Sequence, residues 1–156
     1  HSNPQLRGTD CSTFRLELLV PPLIQLFLTT LGLDKLVILL VLVLLLKLLV
    51  GWGSTWGPIR EATIRGRDAG QSLSCLHIRH LNPLPEALGE IFSKFKHVVV
   101  PEMNDAGLYG QGQLATLLRS RYCNPAIASV CKTDGLGFQV REILAGIERL
   151  TSAGAE

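Results

Sequence analysis

The residue types best suited to chemistry fall in a few short stretches. In "GWGSTWGPIREA", Gly51, Gly53 and Gly57 stand between an apolar run and a helix-like run. Glycines after a strand at this spacing approach a dinucleotide fingerprint, in which N–H groups at a helix N-terminus hold a phosphate. Ser54 or Thr55 is placed to cap that helix, and Pro58 suits its first turn. The fingerprint also needs an acidic residue ending the next strand, to hold a ribose. That strand ends "HIRHLNPLP", with no Asp or Glu, and only Arg79 is at hand to meet a 2′-phosphate. A plain strand–helix turn explains the loop more simply.

His77 and His80 have the residue type of metal ligands. Side chains alternate along a strand, so positions three apart point to opposite faces and cannot share an ion without a bend. His80, with Asn82, is expected at the strand's C-terminal edge. In "PEMNDAGLYGQGQ", Glu102 and Asn104 follow a strand, and three glycines precede the next helix. Glu102 has the chemistry of a general acid or base, yet no histidine or second carboxylate is fixed beside it. A polar loop with a helix cap is the simpler expectation. In "KTDGLGFQV", Asp134-Gly135 is a turn signal.

These residues need a scaffold, and the pattern from Leu48 onward supplies one. Apolar runs at Leu44–Gly51, Leu73–His80, His97–Pro101 and Ala126–Val130 read as strands. Between and after them, three sets fall at helical spacing: Leu84, Leu88, Ile91, Phe92 and Phe95; Leu114, Leu117, Leu118 and Tyr122; Val140, Ile143, Leu144, Ile147 and Leu150. Strands alternating with helices predict an α/β fold: an open, mostly parallel sheet with flanking helices and its site at the strands' C-terminal ends. Residues 1–46 form a different, leucine-rich segment of unassigned role, followed by a domain over 47–150 and a short tail over 151–156. The apolar runs Leu16–Leu28 and Leu36–Leu46 fall short of the roughly 20 residues a spanning helix needs. Membrane association is an alternative to a cytoplasmic location, and the less favoured one.

A chain of 156 residues suffices for one domain with a sizeable core. Net charge is +2 and is spread evenly along the sequence, so no nucleic-acid surface is expected. Cys11, Cys75, Cys123 and Cys131 form no C-x-x-C pair, and neither zinc nor an iron–sulfur cluster is expected within the chain. The chain begins His1-Ser2-Asn3, without an initiator methionine, and is expected to be a fragment or a processed product. No basic stretch precedes the first apolar run, so no secretory signal is expected.

Four segments carry a resemblance: "GWGSTWGPIREA", "LHIRHLNPLPEALGEIF", "VVVPEMNDAGLYGQGQLATLLRSRY" and "KTDGLGFQVREI". In this order and at these separations they resemble the C-terminal domain of the alpha subunit of 2-oxoacid:ferredoxin oxidoreductases of the 2-oxoglutarate type, over residues 47–149. The resemblance implies a transketolase C-terminal-like domain that supports subunit assembly and is not itself catalytic. It further implies a beta subunit as partner. Thiamine diphosphate, magnesium and iron–sulfur clusters would belong to the complex, with coenzyme A and ferredoxin as reactants. The thiamine signature GDG and its downstream asparagine are missing around Asp134. Ser54, Thr55, Arg79, His80, Glu102 and Asn104 are the expected ligand or interface positions, with Gly51, Gly53 and Gly57 as the nucleotide alternative. A non-catalytic interaction domain and a nucleotide-binding domain remain open as other readings.

Overall fold

The computed structural model describes residues 46–152, so all but the last residue of the leucine-rich segment, and the end of the tail, lie outside the described residues. Four strands form one parallel sheet in the order β2-β1-β3-β4: β1 Lys47–Trp52, β2 Leu73–Ile78, β3 His97–Glu102 and β4 Ile127–Cys131. The inner strands have unbroken buried runs, Leu48-Leu49-Val50 and Val98-Val99-Val100, as strands covered on both faces must.

Helices α1 (Trp56–Asp68) and α4 (Val140–Ser152) cover one face. There Leu49, Ile59, Val99, Ile143 and Ile147 share a core. Helices α2 (Leu88–Phe92) and α3 (Gln113–Tyr122) cover the other, where Val50, Phe92, Val98, Leu114 and Leu118 meet. The sides follow from topology. The chain moves one way from β1 to β2 and the other way from β2 to β3 and β3 to β4, so a uniform crossover hand puts α1 opposite α2 and α3.

Strands β1, β3 and β4 each end one residue later than the sequence reading, at Trp52, Glu102 and Cys131, and two other boundaries differ by more. Strand β2 stops at Ile78, not His80, because its neighbour β1 ends at Trp52, the partner of Ile78, and nothing remains to pair with. The helix foreseen around Leu84–Phe95 shrinks to Leu88–Phe92, since Pro85 cannot continue a hydrogen-bonded turn on its N-terminal side. Phe95 stays in the core from a turn.

The outer strands are guarded. Arg67 Nε donates to Leu73 O at 2.6 Å on β2, and Arg119 Nη1 donates to Ile127 O at 2.7 Å on β4. Gln111 Oε1 accepts from Ser129 N at 2.8 Å, further along β4. Side chains thus satisfy backbone groups that would otherwise invite another strand.

Candidate functional site

The pairing of β1 with β3 sets the site's position. It runs only from Lys47↔His97 to Leu49↔Val99, whereas β3 and β4 stay paired to Glu102↔Cys131. The C-terminal ends of β1 and β3 therefore part, at the point where the strand order reverses. Open α/β sheets place their sites in this crevice. The loops after β1 and β3 flank it.

On the β1 side, Gly53 has φ +57° and turns the chain into one 3-10 turn, Gly53–Thr55. A side chain is costly in that left-handed conformation. Gly51 serves a different need: a Cβ there would lie 2.6 Å from Ile59 Cδ1 and 3.0 Å from Thr55 Oγ1, so glycine lets α1 close on the strand. Around Gly57 there is open space. Thr55 holds the N-cap position of α1, but its buried hydroxyl turns back, donating to Trp52 O at 2.8 Å and accepting from Trp52 N at 3.2 Å. It caps no helical N–H, because its own backbone is already helical at φ −76°, ψ −8°. Ser54 is exposed. Pro58 lies in the first turn of α1.

The glycines thus shape a turn, and a substitution distinguishes them. Gly51→Val is expected to cost about 1–3 kcal/mol, the usual range for overpacking. Gly57→Ala is expected to gain about 0.5–1 kcal/mol in helix propensity. Thermal melts of both variants check this; equal effects would mean that Gly51 is not needed for close packing.

Arg79 and His80 follow the last residue of β2 and are exposed. His77 lies within β2 beside Gly51, with its ring 5.2 Å from that of Trp56 at 49°. Its Nδ1 is buried without a hydrogen-bond partner among the described residues. The two histidines do not converge.

Glu102 is the best-anchored polar residue of the site. It ends β3 at 1% exposure. Oε2 accepts from Leu114 N at 2.8 Å and from Asn104 Nδ2 at 3.0 Å, while Oε1 accepts from Ala115 N at 2.9 Å. A carboxylate three-fold bonded at the N-terminus of α3 satisfies two of its free N–H groups and complements its dipole. Gly112 permits this approach, since a Cβ there would collide with the carboxylate. Gly112 N also donates to Ser129 Oγ at 2.7 Å. The loop 103–112 is therefore pinned near both ends. Its middle is not: Leu108 is 99% and Tyr109 85% exposed.

Cys131 lies beneath this loop, its Sγ 3.4 Å from Ser129 Oγ and 3.8 Å from Asn104 Oδ1. Burial pushes its thiol up, helped by the charges of Glu102 and Asp105 and opposed by the Ser129 hydrogen bond. A thiol kept protonated is a poor nucleophile.

After β4, Lys132 closes the loop that leads to α4. Its Nζ lies 2.7 Å and 2.9 Å from the two carboxylate oxygens of Glu142, 3.2 Å from Asp134 Oδ2 and 3.2 Å from Gly137 O. Bonds from Gln139 N and Lys132 lower the pKa of Glu142, bonds from Leu136 N and Lys132 lower that of Asp134, and Glu142 raises that of Lys132. The signs define a window. Carboxylates lowered in the fold stabilise it above their ordinary values, 3.8 and 4.5, and lose that contribution as pH falls through the lowered ones. Lysine raised in the fold contributes below 10.5 and loses it as pH rises through its raised value. Lys132→Met is accordingly expected to flatten both flanks of the stability–pH curve, as followed by urea midpoints. Unchanged flanks would mean that the clasp contributes nothing in solution. Sequence reading missed this clasp, although a lysine, an aspartate two residues on and a glutamate in the next helix's first turn were visible.

The loops at this edge share one more property. Of the eight large hydrophobic residues exposed among the described residues, six are here: Trp52, Trp56, Met103, Leu108, Tyr109 and Leu136. Sequence reading missed these too, for an apolar residue in a loop gives no sign of its exposure.

Among the described residues, no three His, Cys, Asp or Glu side chains converge to hold a metal ion. Asp134, nearest in type to a thiamine motif, has its oxygens engaged by Leu136 N and Lys132. The described residues do not fit a magnesium diphosphate.

Residues 47–143 match the family described as pyruvate:ferredoxin oxidoreductase core domain II, and the chain belongs to that family. Its relatives include the 2-oxoglutarate oxidoreductase subunit KorA of Mycobacterium tuberculosis, 44% identical over 96 residues, 62% of this chain and 14% of the relative. They also include the alpha subunit of 2-oxoacid:ferredoxin oxidoreductase 1 of Aeropyrum pernix, 43% identical over 63 residues, 38% of this chain and 10% of the relative. The alpha subunit of that organism's oxidoreductase 2 is 32% identical over 109 residues, 69% of this chain and 16% of the relative. The resemblance to the C-terminal region of such alpha subunits stands, and the chain spans no more than about a sixth of these relatives' length.

Proposed function

We propose that this chain is the C-terminal domain of an alpha subunit in a 2-oxoacid:ferredoxin oxidoreductase of the 2-oxoglutarate type, and that it docks onto the rest of the complex through the C-terminal edge of its sheet. The observation that carries the docking role is the clustering of exposed Trp52, Trp56, Met103, Leu108, Tyr109 and Leu136 on that edge. Exposed apolar surface gathered in one place marks an interaction site more than scattered residues do. Aromatic anchors such as Tyr109 and the two tryptophans are the usual centres of binding energy.

In this reading Glu102 is a positioning residue that holds the loop 103–112 in place through α3, with Asn104 on its carboxylate. Thr55 fixes the turn that presents Trp52 and Trp56. Ser54, Arg79 and His80 form a polar rim, and Gly51 and Gly53 shape the turn. In this reading the described residues take no cofactor of their own. By the resemblance, thiamine diphosphate with magnesium would be held elsewhere in the complex and would supply the chemistry of 2-oxoacid decarboxylation, with coenzyme A, iron–sulfur clusters and ferredoxin also belonging to other parts of it. A beta subunit is the partner, in a cytoplasmic assembly.

Native mass spectrometry of the chain recovered from its own cells tests the reading. A complex containing a thiamine-binding subunit is the expected result. Recovery of the chain without any such partner would contradict it.

A further inference from the structure

The two side edges of the sheet are finished differently. Lys47 N donates to Ser72 O, and Lys47 is the register partner of Leu73. In a parallel pair alternate residues bond to the neighbour. Ser72, Ser74, Leu76 and Ile78 therefore face β1, while Leu73, Cys75 and His77 turn their N–H and C=O groups outward. On β4 the outward groups are taken: Ile127 N donates to Asn124 O at 3.4 Å, Ile127 O accepts from Arg119, and Ser129 N donates to Gln111 Oε1. On β2 only Leu73 is served, by Gln71 O at 3.0 Å and by Arg67 Nε. Among the described residues, nothing bonds the outward N–H and C=O groups of Cys75 or His77.

Those groups repeat at the spacing of a strand, and an added strand matches their donors and acceptors together. The side chains suit one as well. Leu76 is half-buried on one face, in the cluster that includes Leu81 and Leu84, and Cys75 is half-buried on the other. Charge narrows the occupant. Arg67 stands at Leu73 and Arg79 follows Ile78, so the open stretch has an arginine at each end. At roughly 3.3 Å per residue, Leu73 and Arg79 lie about 20 Å apart along the strand. Neither arginine is in an ion pair among the described residues. Asp68, next to Arg67 in the chain, offsets one of these charges at most. A second copy of this chain is a poor occupant. Pairing two β2 strands antiparallel through Cys75 and His77 sets Leu73, with its Arg67, opposite Arg79 of the other copy, like charge against like.

We propose that the open edge of β2 takes up an extended segment of another polypeptide, apolar at alternate positions and acidic at both ends. It pairs with Cys75 and His77 and sets its carboxylates on Arg67 and Arg79. This surface runs along the side of the sheet, not across its C-terminal edge, and is probed with this chain alone. It can therefore fail while the docking reading stands.

The probe is a fluorescein-labelled peptide, Asp-Val-Thr-Val-Thr-Val-Asp, whose acids match the span from Leu73 to Arg79. It is added to the full chain and followed by anisotropy, and saturable binding is expected. The same peptide with Lys at both ends should bind about tenfold more weakly, as two partly exposed ion pairs allow. Cys75→Pro should also weaken binding about tenfold, since it deletes one outward donor. Proline is tolerated where an edge strand's N–H faces out, so the circular dichroism spectrum should stay unchanged. Arg67→Gln with Arg79→Gln should remove the preference for the acidic peptide. No saturable binding up to about 1 mM peptide would overturn the proposal. So would equal binding of the acidic and basic peptides, or undiminished binding by Cys75→Pro. Strong hydrogen-exchange protection of the Cys75 and His77 amides in the chain alone would overturn it too. The edge would then be covered from within, or by a second copy if sedimentation shows a dimer.

Discussion

Glu102→Ala should lower the stability of the folded domain by about 3–5 kcal/mol, a large share of the 5–15 kcal/mol typical of a domain. The carboxylate accepts from Leu114 N, Ala115 N and Asn104 Nδ2 at 2.8–3.0 Å. Hydrogen bonds to a charged group contribute about 1.5–3 kcal/mol each, and truncation removes the partner of two buried helix N–H groups. Glu102→Gln retains the shape and one acceptor oxygen, and should lose about half as much. Urea unfolding checks both: the midpoints should fall in that order at constant slope. A loss below about 1 kcal/mol for Glu102→Ala would mean that α3 and its preceding loop are held by packing alone.

Leu108→Asp with Tyr109→Asp is expected to do the reverse, leaving the isolated domain's stability within about 0.5 kcal/mol, as at ordinary surface positions. Both side chains stand almost wholly in solvent. Against the proposed beta subunit, the same pair should weaken binding by about 2 kcal/mol or more per residue, roughly a thousandfold for the two if their effects add. Titration calorimetry with the partner subunit measures this. Undiminished affinity would remove the loop tip from the interface. Glu102 then links the two predictions: Glu102→Gln, which loosens the loop without touching its exposed residues, should weaken binding only in proportion to its loss of loop order.

The sheet was readable because Leu48–Val50 and Val98–Val100 are unbroken apolar runs and the sets around Leu118 and Ile147 keep a helical period. Both signals are local. What was not local was missed. The end of β2 at Ile78 depends on where β1 turns away, and that depends on Gly53. Glu102 and Asn104 were identified as loop residues of interest, yet the groups that occupy the carboxylate lie 12 and 13 residues further on. The opening glycine loop makes one 3-10 turn between strand and helix, and the hydroxyl of Thr55 serves the strand end and not the helix.

The proposed docking face of this domain is the C-terminal edge of its sheet. Hydrogen–deuterium exchange of the chain, alone and in complex with its partner subunit, tests it most directly. The loop segments Trp52–Trp56 and Met103–Gly110 should gain protection on assembly, while the N-terminal edge around Lys94–His97 should not. Protection confined to other surfaces would contradict the claim.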